Sequence, residues 1–551
     1  MSAPSERLAR EAGGDVIVVG AGPTGLTLAV ELRLAGARPL VLESSARRPD
    51  TVRAVGLGGQ ILEVLRYRGL LERCEAACTE PVPAPRFPFG GPRLDLTTLD
   101  DPPTRVLPLP QRRLERLLEE RAAELGVRVR YGHEVVGVRQ DAEAVTVDVR
   151  GPDGPRQLTA RYLVGCDGAR GRVRDWAGIP FPGTVYPEVS RLAQATLDES
   201  VTVLDGGALD VPGYGRIEPG VTRTDGGLLG LTASLPGSRA VTLYTTEYDA
   251  PEDDTSAMTL PEFQASVRRV LGGADLPVRD PLRLSRFVLS ARQAERYRAG
   301  RVLLAGDAAH RFPAVGVSLN AGMLDAVNLG WKLAAEVGGR APAGLLDTYH
   351  QERHLAASRT LLHTSAHWAL RRGRDDAAEA LRAVLAELLT DAPALRRTAA
   401  LLAGADIRYP VPGCPHPLAG TFTPNLTLST APNLTLSTAP DGTPHTAPDL
   451  AVHPLPDRAL PAARRVSSVA ELMRPARPVL LDLADRADLR RAAAPWRNRV
   501  DVHTARTAHP PADALLIRPD AHIAWAVPLG EATDPARAGL RRSLTDWFGA
   551  P

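Results

Sequence analysis

The chain has 551 residues, of which 44% are hydrophobic and 24% charged. That length and balance exclude a disordered chain and suggest about three or four domains. Its 66 basic and 64 acidic residues leave a net charge of +2, so no global basic field draws nucleic acid or an anionic membrane. Every basic residue except Lys332 is an arginine, which leaves lysine Schiff-base chemistry a single candidate.

The N-terminus, Met1 to Gly14, mixes Glu6, Arg7, Arg10 and Glu11 and lacks the apolar segment of a signal peptide. No run approaches ~18 uninterrupted apolar residues, so no membrane span is expected. A cytoplasmic, reducing setting follows, and the sparse cysteines Cys74, Cys78, Cys166 and Cys414 agree with it. Cys74 and Cys78 have no histidine pair at zinc-ligand spacing, and His133-Glu134 opens no H-E-x-x-H motif, so no metal site is expected.

Asp15-Val16-Ile17-Val18-Val19 is the apolar, β-branched run of a buried parallel strand. Gly20-Ala21-Gly22-Pro23-Thr24-Gly25 follows, then a helix is predicted over Leu26 to Ala35, stopped by Gly36. A second strand, Arg38 to Leu42, ends at Glu43 and completes a βαβ unit. An amphipathic helix is predicted over Gln111 to Leu125, then strands over Val127 to Tyr131, Glu134 to Arg139 and Val145 to Val149. Residues 191–250 alternate between short apolar runs and turn residues, as in Ala240-Val241-Thr242-Leu243-Tyr244, and predict an antiparallel sheet. Val302-Leu303-Leu304-Ala305 predicts another buried strand, followed by Gly306-Asp307 and a long helical region from about Ala321 to Arg372, broken at 339–343.

Residues 404–460 are rich in Pro, Gly and Thr, and repeat P-N-L-T-L-S-T-A at 424–431 and 432–439. A period repeated once is no solenoid, which needs at least about three units; it reads as a loop duplication. An α/β pattern resumes after 465: a helix, a strand expected at Val479 to Leu483, then the segments Ala514 to Asp520 and His522 to Trp525.

The G-x-G-x-x-G turn stands in the right context: a strand before it, a helix after it, and Glu43 at the end of the next strand. Gly20 permits the tight turn, Gly22 lets the backbone approach a pyrophosphate, and Gly25 lets helix and strand pack closely. The helix N-terminus offers unpaired N–H donors. A carboxylate at Glu43 can accept the hydroxyls of an adenosine ribose.

Two further motifs narrow the dinucleotide: Tyr162-Leu163-Val164-Gly165-Cys166-Asp167-Gly168-Ala169-Arg170, and Arg301-Val302-Leu303-Leu304-Ala305-Gly306-Asp307-Ala308-Ala309-His310. With the N-terminal turn they resemble the three signatures of the single-component FAD-dependent aromatic hydroxylases. These are the para-hydroxybenzoate hydroxylase-like flavoprotein monooxygenases; the chain looks most like the actinobacterial polyketide-tailoring oxygenases among them.

The resemblance implies cofactor contacts at Gly20, Ala21, Gly22, Pro23, Thr24, Gly25 and Glu43 for the ADP half of FAD, and at Asp307 for the ribityl chain. It further implies contacts at Arg53, Gln111, Val135 and Asp167, the last in an Asp-Gly pair linked to FAD and to the nicotinamide cofactor. Gly316, Leu319 and Asn320 would face the flavin ring from a helix start. The family's Gly-Gly-Gln-Gly-Leu-Asn stands here as Val315-Gly316-Val317-Ser318-Leu319-Asn320, in a loop one residue shorter.

The implied fold is α/β: a Rossmann-like FAD domain at 1–188 and 284–390 around an antiparallel substrate sheet at 189–283. A Pro/Gly/Thr-rich connector at 391–461 and a thioredoxin-like domain without C-x-x-C at 462–551 complete it. The implied reaction uses NADH or NADPH, docked transiently, and O2. It inserts one oxygen atom into an aromatic polyketide-type substrate through a flavin C4a-hydroperoxide, in a monomer or homodimer. The flavin carries the chemistry, so no protein residue is singled out as catalytic. Hydroxylation is favoured; Baeyer–Villiger insertion, or another oxidative rearrangement of a ketone or quinone, is the alternative. From a different class stands a flavin-bound binding protein without turnover.

Overall fold

The computed structural model describes residues 10–12, 14–47, 56–78, 86–88, 93–100, 102–103, 105–232, 239–248, 257–313, 317–429 and 467–551. Its first sheet runs, edge to edge, Arg298–Ala299, Val302–Leu304, Tyr162–Gly165, Val16–Val19, Pro39–Leu42 and Arg128–Arg130. All neighbours are parallel except the first pair. Val16, Ile17, Val18, Val41 and Val164 are fully buried, which explains why these strands are apolar throughout rather than alternating.

The helix Pro23–Leu34 is buried on nearly all sides. It packs between this sheet and the long helix Val317–Val337, so closely that a Cβ on Gly330 would stand 2.5 Å from Glu31 Cβ. The long helix starts at Val317, four residues before the expected Ala321. The helix Gln111–Glu124 lays Leu114, Leu118 and Ala122 against the first helix and exposes its charged face. Glu134–Gln140, Val145–Gly151 and Gly154–Ala160 form an antiparallel meander.

A six-stranded antiparallel sheet follows: Gly220–Thr224, Gly227–Thr232, Ala240–Glu247, Gly183–Leu197, Val278–Gln293 and His310–Arg311. One face packs Ala193, Ala195, Leu229 and Leu243 against Phe263, Val267 and Val270 of the helix Leu260–Val270. The two central strands, of 15 and 16 residues, run past both limits, 189 and 283, expected for the substrate sheet. Bulges between Val185 and Val189 and between Gln194 and Thr196 bend them without breaking them.

The segment read as a connector from 391 opens instead with a helix, Ala392–Ala403. Pro393 sits in its first turn and Gly404 ends it in the left-handed conformation, φ +71°. Leu395, Ala399 and Ala403 are buried, the first two against Leu94, Leu96 and Leu370. Further on, Gly420 N donates to Ile523 O and Thr423 N to Ala521 O, so this stretch is stitched to the C-terminal sheet. The second copy of the octapeptide, 432–439, lies outside the described residues; the first touches the C-terminal unit through the bridges Thr427–Ser468 and Ser429–Arg506.

The C-terminal sheet runs Asp501–Thr504, Val479–Asp482, Ala514–Ile517 and Ile523–Val527, parallel in the first pair and antiparallel in the others. The helices Ala487–Ala493 and Thr533–Phe548 pack with it. Cys414 is a free, buried thiol in that core.

This unit docks on the two long helices through buried charge. Arg518 donates to both oxygens of Glu352, on the helix Asp347–Arg372, at 2.6 and 2.8 Å. Lys332 Nζ donates to Glu352 at 2.7 Å and to Asn328 Oδ1 at 2.9 Å, and Asn328 Nδ2 donates to Asp520 at 3.0 Å. Burial opposes the ionisation of Glu352, but the charges of Arg518 and Lys332 hold its carboxyl below its ordinary range. Beside this cluster, Arg68 pairs with Glu31 at 2.7 and 2.8 Å and donates to the carbonyls of Met473 and Pro519. Among the described residues no helix is long and apolar enough to cross a membrane.

Candidate active site

The C-terminal ends of the parallel strands open on one cleft of about 580 Å³. Its floor is made by Val19, Leu42, Cys166 and Ala305, each at or just past a strand end, where ligands bind in open α/β sheets.

The glycine turn forms one wall. Gly20 has φ +104°, and a Cβ there would stand 2.4 Å from Cys166 O. A Cβ on Gly25 would stand 2.0 Å from Gly20 O, so this glycine is needed to fold the turn onto itself and does not line the cleft. Gly22 is different: a Cβ would meet nothing within 4 Å. It caps the helix Pro23–Leu34 with no side-chain hydrogen bond, and Ala21, Gly22, Pro23 and Thr24 line the cleft. An uncapped helix start beside open space is what an anionic group on a cofactor needs.

Glu43 lies across the turn. Its Oε2 accepts from Ala21 N at 2.9 Å and its Oε1 from Ser45 N at 2.9 Å, which pins the carboxylate at the cleft wall. Oε1 also accepts a long bond from Ser44 Oγ at 3.4 Å, so Oε2 is the oxygen that keeps a lone pair for a ribose hydroxyl.

Asp167 follows the strand Tyr162–Gly165. Its Oδ2 accepts from Val173 N at 3.0 Å, while its Oδ1 is buried with no hydrogen-bond partner among the described residues. Burial pushes its carboxyl up, against hydrogen bonds from the backbone and the charge of Arg174. Gly171 makes room for it, since a Cβ there would stand 2.2 Å from Asp167 Oδ1. An orphaned buried oxygen at a cleft wall fits a ligand donor. Cys166 beside it is no ready nucleophile, because burial pushes its thiol up.

Asp307, Gln111, Val135 and Leu319 also line the cleft. Gln111 Nε2 donates to Glu115 at 2.7 Å at the start of its helix. Asn320 does not line it; its Oδ1 accepts from Gly58 N at 3.3 Å and ties the long helix to the strand Leu57–Gly58. Arg53 and Gly316 fall outside the described residues.

Sequence reasoning missed His133 and Trp176, which also line the cleft. His133 Nδ1 lies 2.8 Å from Tyr131 O, and Trp176 sits under the Arg172 guanidinium at 4.9 Å. Both come from loops or a single helical turn, where no periodicity marks a residue in advance. Lys332, the one Schiff-base candidate, is fully buried in the docking cluster and does not line the cleft. No group of His, Cys, Asp or Glu among the described residues can hold a metal ion.

The model of the FAD binding domain family matches residues 14–364, and that of the aromatic-ring hydroxylase C-terminal domain matches 450–551. The chain is 39% identical over 546 residues to a 12-dehydrotetracycline 5-monooxygenase/anhydrotetracycline 6-monooxygenase of Streptomyces rimosus, covering 98% of this chain and 99% of the relative. It is 38% identical over 543 residues to a rifampicin monooxygenase of Streptomyces venezuelae, covering 97% and 99%. The solved structure of the OxyS anhydrotetracycline hydroxylase from Streptomyces rimosus superposes with a TM-score of 0.81 at 37% identity, over 98% of this chain and all of that one. With matches over nearly its whole length and a cleft built for a dinucleotide, the chain belongs to the FAD-dependent aromatic-ring hydroxylases and is a flavoprotein monooxygenase.

Proposed function

We propose that the chain uses NADH or NADPH and O2 to transfer one oxygen atom to an aromatic polyketide-type substrate, hydroxylation being favoured over Baeyer–Villiger insertion. The observation that carries this reading is that an uncapped helix start, the pinned Glu43 carboxylate and Asp307 line the same cleft. FAD, when bound and reduced, supplies the oxygen-activating chemistry. The protein's own part is to hold it: Glu43 at the ribose, the N–H groups after Gly22 at the pyrophosphate, Asp307 at the ribityl hydroxyls and Leu319 at the ring.

The face of the six-stranded sheet opposite the helix Leu260–Val270, where the Arg371 guanidinium lies 4.7 Å from the centre of the Tyr244 ring, suits a planar aromatic substrate. The Tyr244 ring lies across Gly230, where a Cβ would stand 1.8 Å from its Cζ. Leu192 and Ser285 continue the same cross-strand row, and Phe287 stands one row away. In this reading the FAD unit is split around that sheet, and the C-terminal unit is thioredoxin-like but serves docking, having no C-x-x-C. The enzyme works in the cytoplasm as a monomer or homodimer.

The test has three arms. Denaturation should release FAD; FMN alone would overturn the cofactor reading. NAD(P)H oxidation with oxygen uptake on a candidate polyketide separates turnover from a flavin-bound binding protein. With labelled O2, a product phenol carrying one label supports hydroxylation, and a labelled ester or lactone supports insertion.

A further inference from the structure

Asp325, on the helix Val317–Val337, is fully buried and lies behind the cleft wall rather than in it. Its Oδ2 accepts from the backbone N–H of Gly306 at 3.0 Å and lies 2.7 Å from His310 Nε2; its Oδ1 accepts from Arg353 Nε at 2.7 Å. Burial opposes its ionisation, but His310 and Arg353 hold its carboxyl below the ordinary range. A well-packed apolar residue would fill such a place without the desolvation cost of a carboxylate. What the carboxylate adds is direction: one oxygen grips the first residue of the Gly306–Asp307 turn.

That turn is tightly enclosed. Gly306 has φ +66°, and a Cβ on it would stand 2.8 Å from Thr24 Oγ1. A Cβ on Gly322 would stand 2.5 Å from Thr24 Oγ1 and 3.0 Å from Gly306 Cα. The glycine turn, the Gly306–Asp307 turn and the long helix therefore meet at one point, and Asp325 holds the second to the third.

The hold continues outward. Arg353 Nη1 donates to Tyr409 Oη at 2.8 Å, and its Nη2 to Ala321 O at 3.2 Å. The Tyr409 ring stacks on His522 of the C-terminal unit, with centroids 4.3 Å apart and planes 28° apart. We propose that Asp325 is a positioning residue for the Gly306–Asp307 turn, and that the C-terminal unit braces it through His522, Tyr409 and Arg353. The proposal deepens the FAD reading and rests on it: loosening this line is expected to misplace Asp307 toward the cofactor without touching the cofactor itself.

The experiment compares the full-length wild type with Asp325→Asn and Tyr409→Phe. FAD affinity is measured by flavin fluorescence well below each Tm, the bound flavin's visible spectrum is recorded, and amide exchange at Gly306 and Asp307 is followed in the apoprotein. Asp325→Asn should weaken FAD binding roughly ten- to hundredfold, as loss of a charge-assisted hydrogen bond implies. Tyr409→Phe, which keeps the ring stack, should weaken it roughly three- to tenfold. Both should speed exchange at Gly306 and alter the flavin spectrum. A merely structural role lowers Tm and leaves affinity and spectrum unchanged; that result, with wild-type exchange at Gly306, overturns the proposal. Should Asp325→Asn fail to fold, Tyr409→Phe decides alone. Absence of FAD binding in the wild type sinks the cofactor reading instead, and exchange at Gly306 then still judges this one.

Discussion

In the cleft, Asp167 Oδ1 is buried without a hydrogen-bond partner among the described residues, and the helix after Gly22 starts without a side-chain cap. At the docking seam of the C-terminal unit, Arg518, Glu352, Lys332, Asn328 and Asp520 are just as buried, yet they satisfy one another. The difference separates two uses of polar groups inside a protein. Groups left open at a concave surface await a ligand. Groups closed on themselves between two units specify how the units meet, and removing one strands the others.

The strongest way to break this contrast is to cut the seam. Removing residues 467–551 would strip Glu352 of Arg518 and Arg68 of two carbonyl acceptors, and would uncover Trp331, now packed near Trp547 and Phe548. The truncated chain is expected to be lost to the pellet; recovery of folded protein by far-UV circular dichroism would contradict a structural seam. Within the full chain, Arg518→Met should cost about 3–5 kcal/mol in urea unfolding, because Glu352 and Asp520 stay buried with less compensation.

The cleft should respond in the opposite sense. Gly22→Ala meets open space, so the apoprotein should keep its stability to within about 1 kcal/mol. FAD affinity should fall by about 1–3 kcal/mol, as expected for overpacking against a ligand. Calorimetry of the apoprotein and flavin titration read the two effects separately. A large loss of apoprotein stability would show that Gly22 serves the fold, as Gly25 does.

An acid titration sharpens the comparison with a third cluster. Glu262 pairs with Arg286 and Arg191 beneath the six-stranded sheet, and hydrogen bonding to Arg286, against partial burial, lowers its carboxyl to about 2 from 4.5. The folded value lies below the unfolded one, so the native state binds fewer protons. The stabilisation is therefore present above about pH 4.5 and is lost as pH falls through about 2. Glu262→Gln should flatten the stability profile in that window; an unchanged slope would mean that this pair contributes nothing.

The smallest effect is expected at Cys414. Its Sγ lies 3.8 Å from Ala526 O, and none of the other three cysteines bonds to it. Cys414→Ser should leave turnover and FAD content unchanged and shift stability by about 1 kcal/mol, since the hydroxyl can take the same acceptor. Loss of product with full FAD content would give this thiol a role that the seam does not explain.

The cleft was largely legible because its requirements are local. A tight turn, a close approach and a strand end each demand a residue type within a few positions of one another, and eleven of the fifteen expected contacts do line one cleft. Gly25 and Asn320 sit behind the wall because their work is packing and tethering. The helix Ala392–Ala403 was hidden by composition: its apolar spacing Leu395, Ala399, Ala403 is carried mostly by small residues beside a Pro-rich stretch.

The seam left only faint traces. Glu31, Asp325 and Lys332 are charged residues inside otherwise apolar helices, which signals buried pairing but names no partner. Arg518 and Glu352 are 166 residues apart, and Arg68 and Pro519 are 451 apart.

By itself, then, the amino-acid sequence determined the βαβ unit, the glycine turn and the family, because short-range backbone geometry and residue type suffice for those. Only the tertiary structure decided which charges meet, that the lone lysine is a strut, and that the Gly306–Asp307 turn is held from behind. Those contacts join segments whose proximity no local pattern encodes, and their energies exist only once water has been excluded from between them.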